Sequence, residues 1–372
     1  MKVTSLTWKH CRNLTGGELR PAEGVNVICG DNAQGKTNLL ELLWIYTGGR
    51  SFRGAKDAEL IELGQTRAES ELAFYAQGRD QTARIELSGG RRHCYRNEIA
   101  QKSAAGMVGG FCAVVFAPVH LSLVKDGPAE RRRFLDAAIC QTRPAYAGLL
   151  SRYNRAVEQR NALLKELYRR PYLEDTLPEW DEKTAQLAAL VTEARLKYLK
   201  KLQPAAEETY FGISSEKEKL TIQYLRSGGT EAWEELSSQS AAELLPLVRQ
   251  TIAQAHTADL AAGFTTVGPH RDDFALCING LSARSFGSQG QQRSAVLALK
   301  LGEAAVLGES IGEAPVILLD DVLSELDSAR QDYLLNRMIG RQVFITCCEP
   351  TPVLRMSGGK AFRMEGGQLS EL

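Results

Sequence analysis

An apolar stretch, Val25-Asn26-Val27-Ile28-Cys29, runs directly into Gly30-Asp31-Asn32-Ala33-Gln34-Gly35-Lys36-Thr37. Glycine, four residues, glycine, lysine, threonine: no other pattern constrains the chain as strongly. At a background glycine frequency of about 7%, a chance match in a chain of this length is on the order of one per cent. Residues 24–29 alternate and carry Val and Ile, as a short strand does. Residues 36–47 read as a helix that Gly48-Gly49 ends. Strand, glycine turn and helix in that order make a phosphate cradle. Glycines let backbone N–H groups curl around an anion, and the helix N-terminus adds its dipole. In such a cradle Lys36 reaches the β- and γ-phosphates of a nucleotide, and the Thr37 hydroxyl ligates Mg²⁺. Asn38 follows on the first turn.

The second half of such a site is an apolar strand ending in acid. Residues 315–319, PVILL, end at Asp320-Asp321. Asp320 is expected beside Mg²⁺, and Asp321 is placed to polarise an attacking water. Ser324, Glu325, Leu326 and Asp327 come next. A third element, residues 285–305, places Ser288 as an N-cap with a helix from Gln289. Gly290 leaves room for a ligand, so this helix start is a second anion site. A capped helix and nothing more is the plainer reading of that segment taken alone.

The formal net charge of the 372 residues is zero, so binding to nucleic acid must use local patches. The eight cysteines include no C-x-x-C pair, which argues against a zinc ribbon or a redox motif and reads as buried thiols of a cytosolic protein. The N-terminus lacks the apolar core of a signal peptide. Residues 104–124 have the length of a membrane span, but Pro118, His120 and three glycines interrupt them. A buried strand over 112–117 is expected instead.

Residues 1–128 read as β-rich around the phosphate loop. Residues 129–262 are charged, rich in Leu and Ala, and helical. Over 145–170, Leu150, Tyr153, Val157, Leu164 and Leu167 keep heptad spacing. Pro171 and Pro178 are expected to close that helix. A second run, about 180–203, aligns Leu187, Val191, Ala194 and Tyr198, and Pro204 is expected to stop it. A third helical region covers about 230–260. From 264 the chain turns compact, with a further apolar run at 342–346.

The order of phosphate loop, serine–glycine helix, acid strand and Ser-Glu-Leu-Asp is that of ABC-type ATPases. Nearly end to end, the chain resembles the RecF family of recombinational repair proteins, an SMC-like branch of those ATPases. The resemblance rests on CRN (11–13), GDNAQGKTNLLE (30–41), GRSFR (49–53), LVKDGPAERRRFLD (123–136), QRNALLK (159–165), GPHRDD (268–273), SQGQQR (288–293) and LLDDVLSELD (318–327). Transporter subunits usually carry Leu-Ser-Gly-Gly-Gln and Asp-Glu at the last two. A long tether with a zinc hook is disfavoured by the short arm and the missing C-x-x-C, and a single phosphate-loop kinase by the serine–glycine helix.

The resemblance implies an α/β fold: an ABC-type P-loop ATPase head from 1–128 and 264–372, with 129–263 inserted as a helical arm, a short antiparallel coiled coil. It implies ATP and Mg²⁺ as ligands and a slow, DNA-stimulated ATPase that works as a switch. Arg12 and Asn13 would contact the nucleotide. Ser288, Gly290 and Gln291 would cover the γ-phosphate held by a second copy, with Ser324 and Asp327 in the adjoining loop, making an ATP-dependent homodimer. Single- and double-stranded gapped DNA and RecR would be partners, with RecO and RecA in the pathway, in the cytoplasm and without a membrane. Candidate phosphate contacts are Arg50, Arg53, Lys56, Arg91, Arg92, Arg131, Arg132, Arg133, Lys197, Lys200 and Lys201, although Arg131–Arg133 could instead brace the arm against the head. Three positions depart from the family. Cys11 stands for Phe, Val119 and His120 stand for Glu and Asp, and Cys347-Cys348-Glu349 carries no switch histidine.

Overall fold

Four apolar runs lie side by side as parallel strands in the computed structural model, which describes residues 1–349 and 359–372. Their order is Val25–Cys29, Val343–Cys347, Val316–Asp320 and Ala113–Phe116. Each is buried along almost its whole length, as strands covered on both faces must be. Lys360–Glu365 extends this sheet in parallel beside Val25–Cys29, and Gln368–Glu371 closes it in antiparallel. Of these four strands, two come from the first third of the chain and two from the last, so the head requires both chain ends.

A second six-stranded sheet is antiparallel throughout, in the order Leu14–Leu19, Lys2–Cys11, Arg67–Ala76, Arg79–Ser88, Arg91–Arg96 and Ile99–Gln101. The helix Lys36–Ile45 is buried on nearly every side, because beyond its first turn all its residues but Glu41 are apolar. Its Leu39, Leu40, Leu43 and Ile45 share one core with Leu6, Phe74 and Ile85 of the antiparallel sheet and with Ile28, Leu318 and Phe344 of the parallel sheet.

The contacts divide the chain into two units, Met1–His120 with Glu303–Leu372, and Leu121–Gly302. The boundaries read from sequence, 128 and 264, differ from these. Residues 264–302 pack in the inserted unit because Asp273–Ile278 pairs with Leu220–Leu225 and Leu281–Ser282. The strand Leu220–Leu225 falls within the stretch read as wholly helical. Its alternation is visible afterwards in Leu220, Ile222 and Tyr224, all buried, with Gln223 and Leu225 exposed.

In the inserted unit Ala145–Leu167 packs on Leu177–Ile213, which also packs on Ala241–Ala262. Tyr153, Val157, Leu164 and Leu167 are buried, as the heptad reading expected. Two proline expectations are corrected. Pro178 opens the second long helix instead of closing the first. Pro204 does not stop that helix, which continues to Ile213. Leu199, Leu202, Ala206 and Tyr210 are buried on either side of it. Pro204 offers no N–H to the carbonyl of Lys200, one turn back on an exposed residue. Among the described residues no helix is long and apolar enough to cross a membrane. The span-like stretch is broken into a short helical turn at Ala104–Met107 and the strand Ala113–Phe116.

Candidate nucleotide site

The turn between Val25–Cys29 and Lys36–Ile45 is shaped by two glycines in conformations that favour glycine. Gly30 has φ 152° and Gly35 φ 114°. A Cβ at Gly30 would lie 2.3 Å from the Met364 carbonyl oxygen, and one at Gly35 would lie 2.9 Å from Asn13 Oδ1. Both positions therefore exclude a side chain. The loop is anchored on both flanks. Gly366 and Gly367 donate backbone N–H groups to Gln34 Oε1 at 2.6 Å and to the Gln34 carbonyl at 3.1 Å. Asn13 Nδ2 donates to the Ala33 carbonyl at 3.3 Å, and Asn38 Nδ2 donates to Asn13 Oδ1 at 2.7 Å. The Cys348 thiol donates to Asn32 Oδ1 at 3.6 Å. Lys36 is buried, with its ammonium donating to the carbonyls of Gly30 and of Asp31, the latter at 2.9 Å.

The two halves of the expected site meet. Thr37 Oγ1 donates to Asp320 Oδ1 at 2.8 Å across 283 residues of sequence. Thr346 Oγ1 donates to the same oxygen at 2.9 Å, because Asp320 pairs with Thr346 between adjacent strands. Burial pushes the Asp320 carboxyl above the usual carboxylate range, an effect the two hydroxyls partly offset and the neighbouring Asp321 reinforces. Asp321, just past the strand, has φ 51° and donates its N–H to Thr346 Oγ1 at 2.9 Å. Its Oδ1 accepts the Ser324 hydroxyl at 3.0 Å. Non-glycine residues in that backbone region are uncommon and concentrate at functional sites. Thr346 holds both aspartates; in the sequence its only signal is its place at the end of the run 342–346.

Arg12 and Asn13 behave differently. Asn13 touches the phosphate loop, as above. Arg12 is taken up by Glu41, with Nε to Oε2 at 2.6 Å and an Nη to Oε1 at 3.1 Å. Ser288 caps the helix Gln289–Ile311: its Oγ accepts the Gln291 N–H at 3.2 Å, and its own N–H reaches Gln291 Oε1 at 2.8 Å. Gly290 lies in the first turn, its carbonyl accepting the Ser294 hydroxyl at 2.9 Å. Gln291 Nε2 donates to Glu218 Oε1 at 2.6 Å. Asp327 caps the helix Ser328–Arg337 by accepting the Arg330 N–H at 3.0 Å. Ser324 and Asp327 are exposed.

The basic candidates separate by burial. Arg50, Arg53, Lys56, Arg91, Arg133, Lys197, Lys200 and Lys201 are exposed. Arg131 is not available as a phosphate contact. It is 5% exposed and forks onto Asp273 at 2.7 and 2.9 Å, with an Nη donating to the Leu123 and Asp126 carbonyls. Arg92 is corrected likewise: its side chain is 4% exposed, paired with Asp57 at 2.5 Å and bonded to the Gly49 carbonyl. Arg132 is half-buried and donates to the Asp272 carbonyl at 2.8 Å, so Arg131 and Arg132 brace the inserted unit internally, while Arg133 is exposed and pairs with Glu130 of its own helix. At the departures from the family pattern, Cys11 is buried in the core, and His120 Nδ1 accepts the Ala117 N–H at 3.0 Å beside Phe52. Burial pushes the Cys347 thiol up to about 12.

A family model described as an AAA domain matches residues 5–237. The DNA replication and repair protein RecF of Caldanaerobacter subterraneus subsp. tengcongensis is 39% identical over 343 residues, covering 90% of this chain and 91% of its own. That of Acetivibrio thermocellus is 35% identical over 350 residues, 94% of each chain. A solved structure of the recombination mediator protein RecF with ATP, in the RecFOR pathway, is similar at TM-score 0.90 and 36% identity, covering 100% of this chain and 99% of that one. An SMC head bound to the winged-helix domain of ScpA shares the fold alone, at TM-score 0.56 and 13% identity. On the joined phosphate loop and acid strand, and on relatives this similar over nearly their whole length, the chain belongs to the RecF family of DNA replication and repair proteins.

Proposed function

We propose that the protein is an ATP-gated, DNA-binding homodimer that hydrolyses ATP slowly and uses hydrolysis as a switch. The observation that carries the nucleotide part is the contact between Thr37 Oγ1 and Asp320 Oδ1, which joins the phosphate loop to the acid strand. The backbone N–H groups of 30–37 cradle the phosphates, and the Lys36 ammonium exchanges its two carbonyl partners for the β- and γ-phosphate oxygens. The donors at Thr37 and Asp320 are a hydroxyl and a carboxylate, hard oxygens that suit Mg²⁺. Among the described residues the buried Asp320 carboxylate has hydroxyls but no cation as hydrogen-bond partner, which fits it to a metal ion. Bound there, Mg²⁺ neutralises charge on the β- and γ-phosphates. Asp321, oriented by Thr346 and Ser324, accepts a hydrogen bond from the attacking water and directs its lone pair at phosphorus. Ser288, Gly290 and Gln291 of one copy cover the γ-phosphate bound to the other, with Ser324 and Asp327 at the same seam. Exposed cations, Arg50, Arg53, Lys56, Lys200 and Lys201 among them, supply phosphate contacts for single- or double-stranded DNA. By kinship with the RecFOR-pathway protein, RecR is the expected partner, with RecO and RecA acting in the same repair of gaps.

Sedimentation with and without ATP, Mg²⁺ and duplex or gapped DNA tests the reading. The expected result is a monomer that becomes a dimer only with ATP and binds DNA in that form. A sedimentation coefficient unmoved by saturating ATP would overturn it.

A further inference from the structure

After its first turn, the helix behind the phosphate loop is apolar from Leu39 to Ile45 except for one acid, Glu41. Glu41 is 1% exposed, and both its oxygens are occupied. Oε2 accepts Arg12 Nε at 2.6 Å; Oε1 accepts an Arg12 Nη at 3.1 Å and the Ser51 hydroxyl. An Nη of Arg53 stands 4.0 Å from Oε2. The contacts continue as a closed ring. Arg53 donates to Asn38 Oδ1 at 2.9 Å, Asn38 Nδ2 donates to Asn13 Oδ1 at 2.7 Å, and Asn13 follows Arg12 in sequence. Asn38 and Glu41 share a helix face at spacing i, i+3. Arg12 itself has φ 52°, and its N–H donates to the Leu60 carbonyl at 2.9 Å. A buried carboxylate is costly unless paired, and leucine would fill this position in an apolar helix without that cost. What the acid provides is direction, because a forked guanidinium–carboxylate pair fixes the arginine in both rotation and reach.

We propose that Glu41 is a positioning residue for nucleotide binding: it aims Arg12, and with it the Arg12-Asn13 step, at the flank of the phosphate loop. This rests on the reading that Arg12 and Asn13 contact the nucleotide. The full chain, wild type, Glu41→Gln, Arg12→Ala and the double variant, is titrated with Mg·ATP by calorimetry. Each single change is expected to weaken ATP by about tenfold, and the double variant no more than the worse single one, because both remove the same interaction. A merely structural role would instead lower the stability measured by unfolding and leave ATP affinity at the wild-type value. Wild-type affinity in Glu41→Gln, or additive losses, overturns the inference while leaving the Arg12 contact standing. Wild-type affinity in Arg12→Ala removes the contact itself, and the inference falls with it. Should Glu41→Gln not fold, Arg12→Met with Glu41→Leu keeps the site filled and free of charge, and it must bind ATP as well as Arg12→Met alone; a further loss counts against positioning.

Discussion

A lysine buried against its own loop carbonyls is a charge in waiting. The Lys36 ammonium has Gly30 and Asp31 oxygens as partners, and no other side chain of the loop carries positive charge. Lys36→Ala should therefore weaken ATP by at least about a hundredfold, since two charge-assisted bonds are lost. Lys36→Arg should still bind but not turn over, because the wider fork displaces the γ-phosphate. Calorimetry and phosphate release separate the two, and equal turnover in wild type and Lys36→Arg would reject the assigned role. Asp320 gives a prediction with a sign. Burial raises its folded pKa above the ordinary carboxylate value, so the folded state binds the proton more tightly than the unfolded chain. Its contribution to stability is accordingly lost as pH rises from near 4, the ordinary value, through the higher folded one. In the absence of nucleotide, the stability of Asp320→Asn relative to wild type should improve over that window, as read by denaturant unfolding at several pH values. A difference that stays flat with pH would show that burial does not penalise this carboxylate. The same variant should lose Mg²⁺-dependent turnover, a local exchange of stability for function.

Helices meet charges as well as apolar faces in the inserted unit. Arg160, on Ala145–Leu167, is fully buried and reaches Asp181 on the second helix at 2.7 Å, Asp259 on the third at 2.6 Å, and Thr265 at 2.9 Å. One guanidinium thus ties three helices. Arg160→Ala should destabilise the protein by about 3–5 kcal/mol, because Asp259 stays buried without its cation. Urea unfolding measures it, and a loss under about 1 kcal/mol would mean that water replaces the arginine. Sequence reading found this helix from its heptad leucines but gave Arg160 no role, since periodicity reports faces and not partners. The same limit explains the other misses. Strands buried on both faces were legible because apolar runs bounded by turns leave few other choices. Leu220–Leu225 was not, because its partner strand Asp273–Ile278 lies some distance on in the chain and the surrounding residues favour helix. Pro204 reads as a stop because local rules count the lost N–H and cannot count the buried Leu199, Leu202, Ala206 and Tyr210 on either side. Sequence leaves Arg131 open between phosphate contact and brace because its counter-ion, Asp273, is likewise remote in the chain. The phosphate loop and its acid strand were legible since their chemistry demands fixed spacing, whereas Thr346 and Glu41 enter through pairing and packing alone.

At the scale of the whole molecule the decisive residue is Ser288. In one chain it caps its own helix, with its hydroxyl on the Gln291 N–H and its N–H on Gln291 Oε1. If capping were its whole role, Ser288→Arg would cost about 1 kcal/mol of stability and leave ATP-dependent assembly intact. If it also faces the γ-phosphate held by a second copy, the consequences divide. The variant still binds ATP through Gly30–Thr37, but the bulk of arginine blocks the opposing head, so ATP-dependent dimers and ATP-stimulated DNA binding both disappear. Mixing Ser288→Arg with Lys36→Ala protein sharpens the distinction. Each is inactive alone, yet a mixed dimer contains one composite site in which the loop comes from the first protein and the serine from the second. Partial recovery of ATPase on mixing, up to about half the wild-type activity per dimer, is expected of a site shared between copies, since one of two sites is restored. Dimerisation of Ser288→Arg alone, at ATP concentrations that saturate the monomer, would leave the serine as a helix cap and remove the nucleotide from the interface.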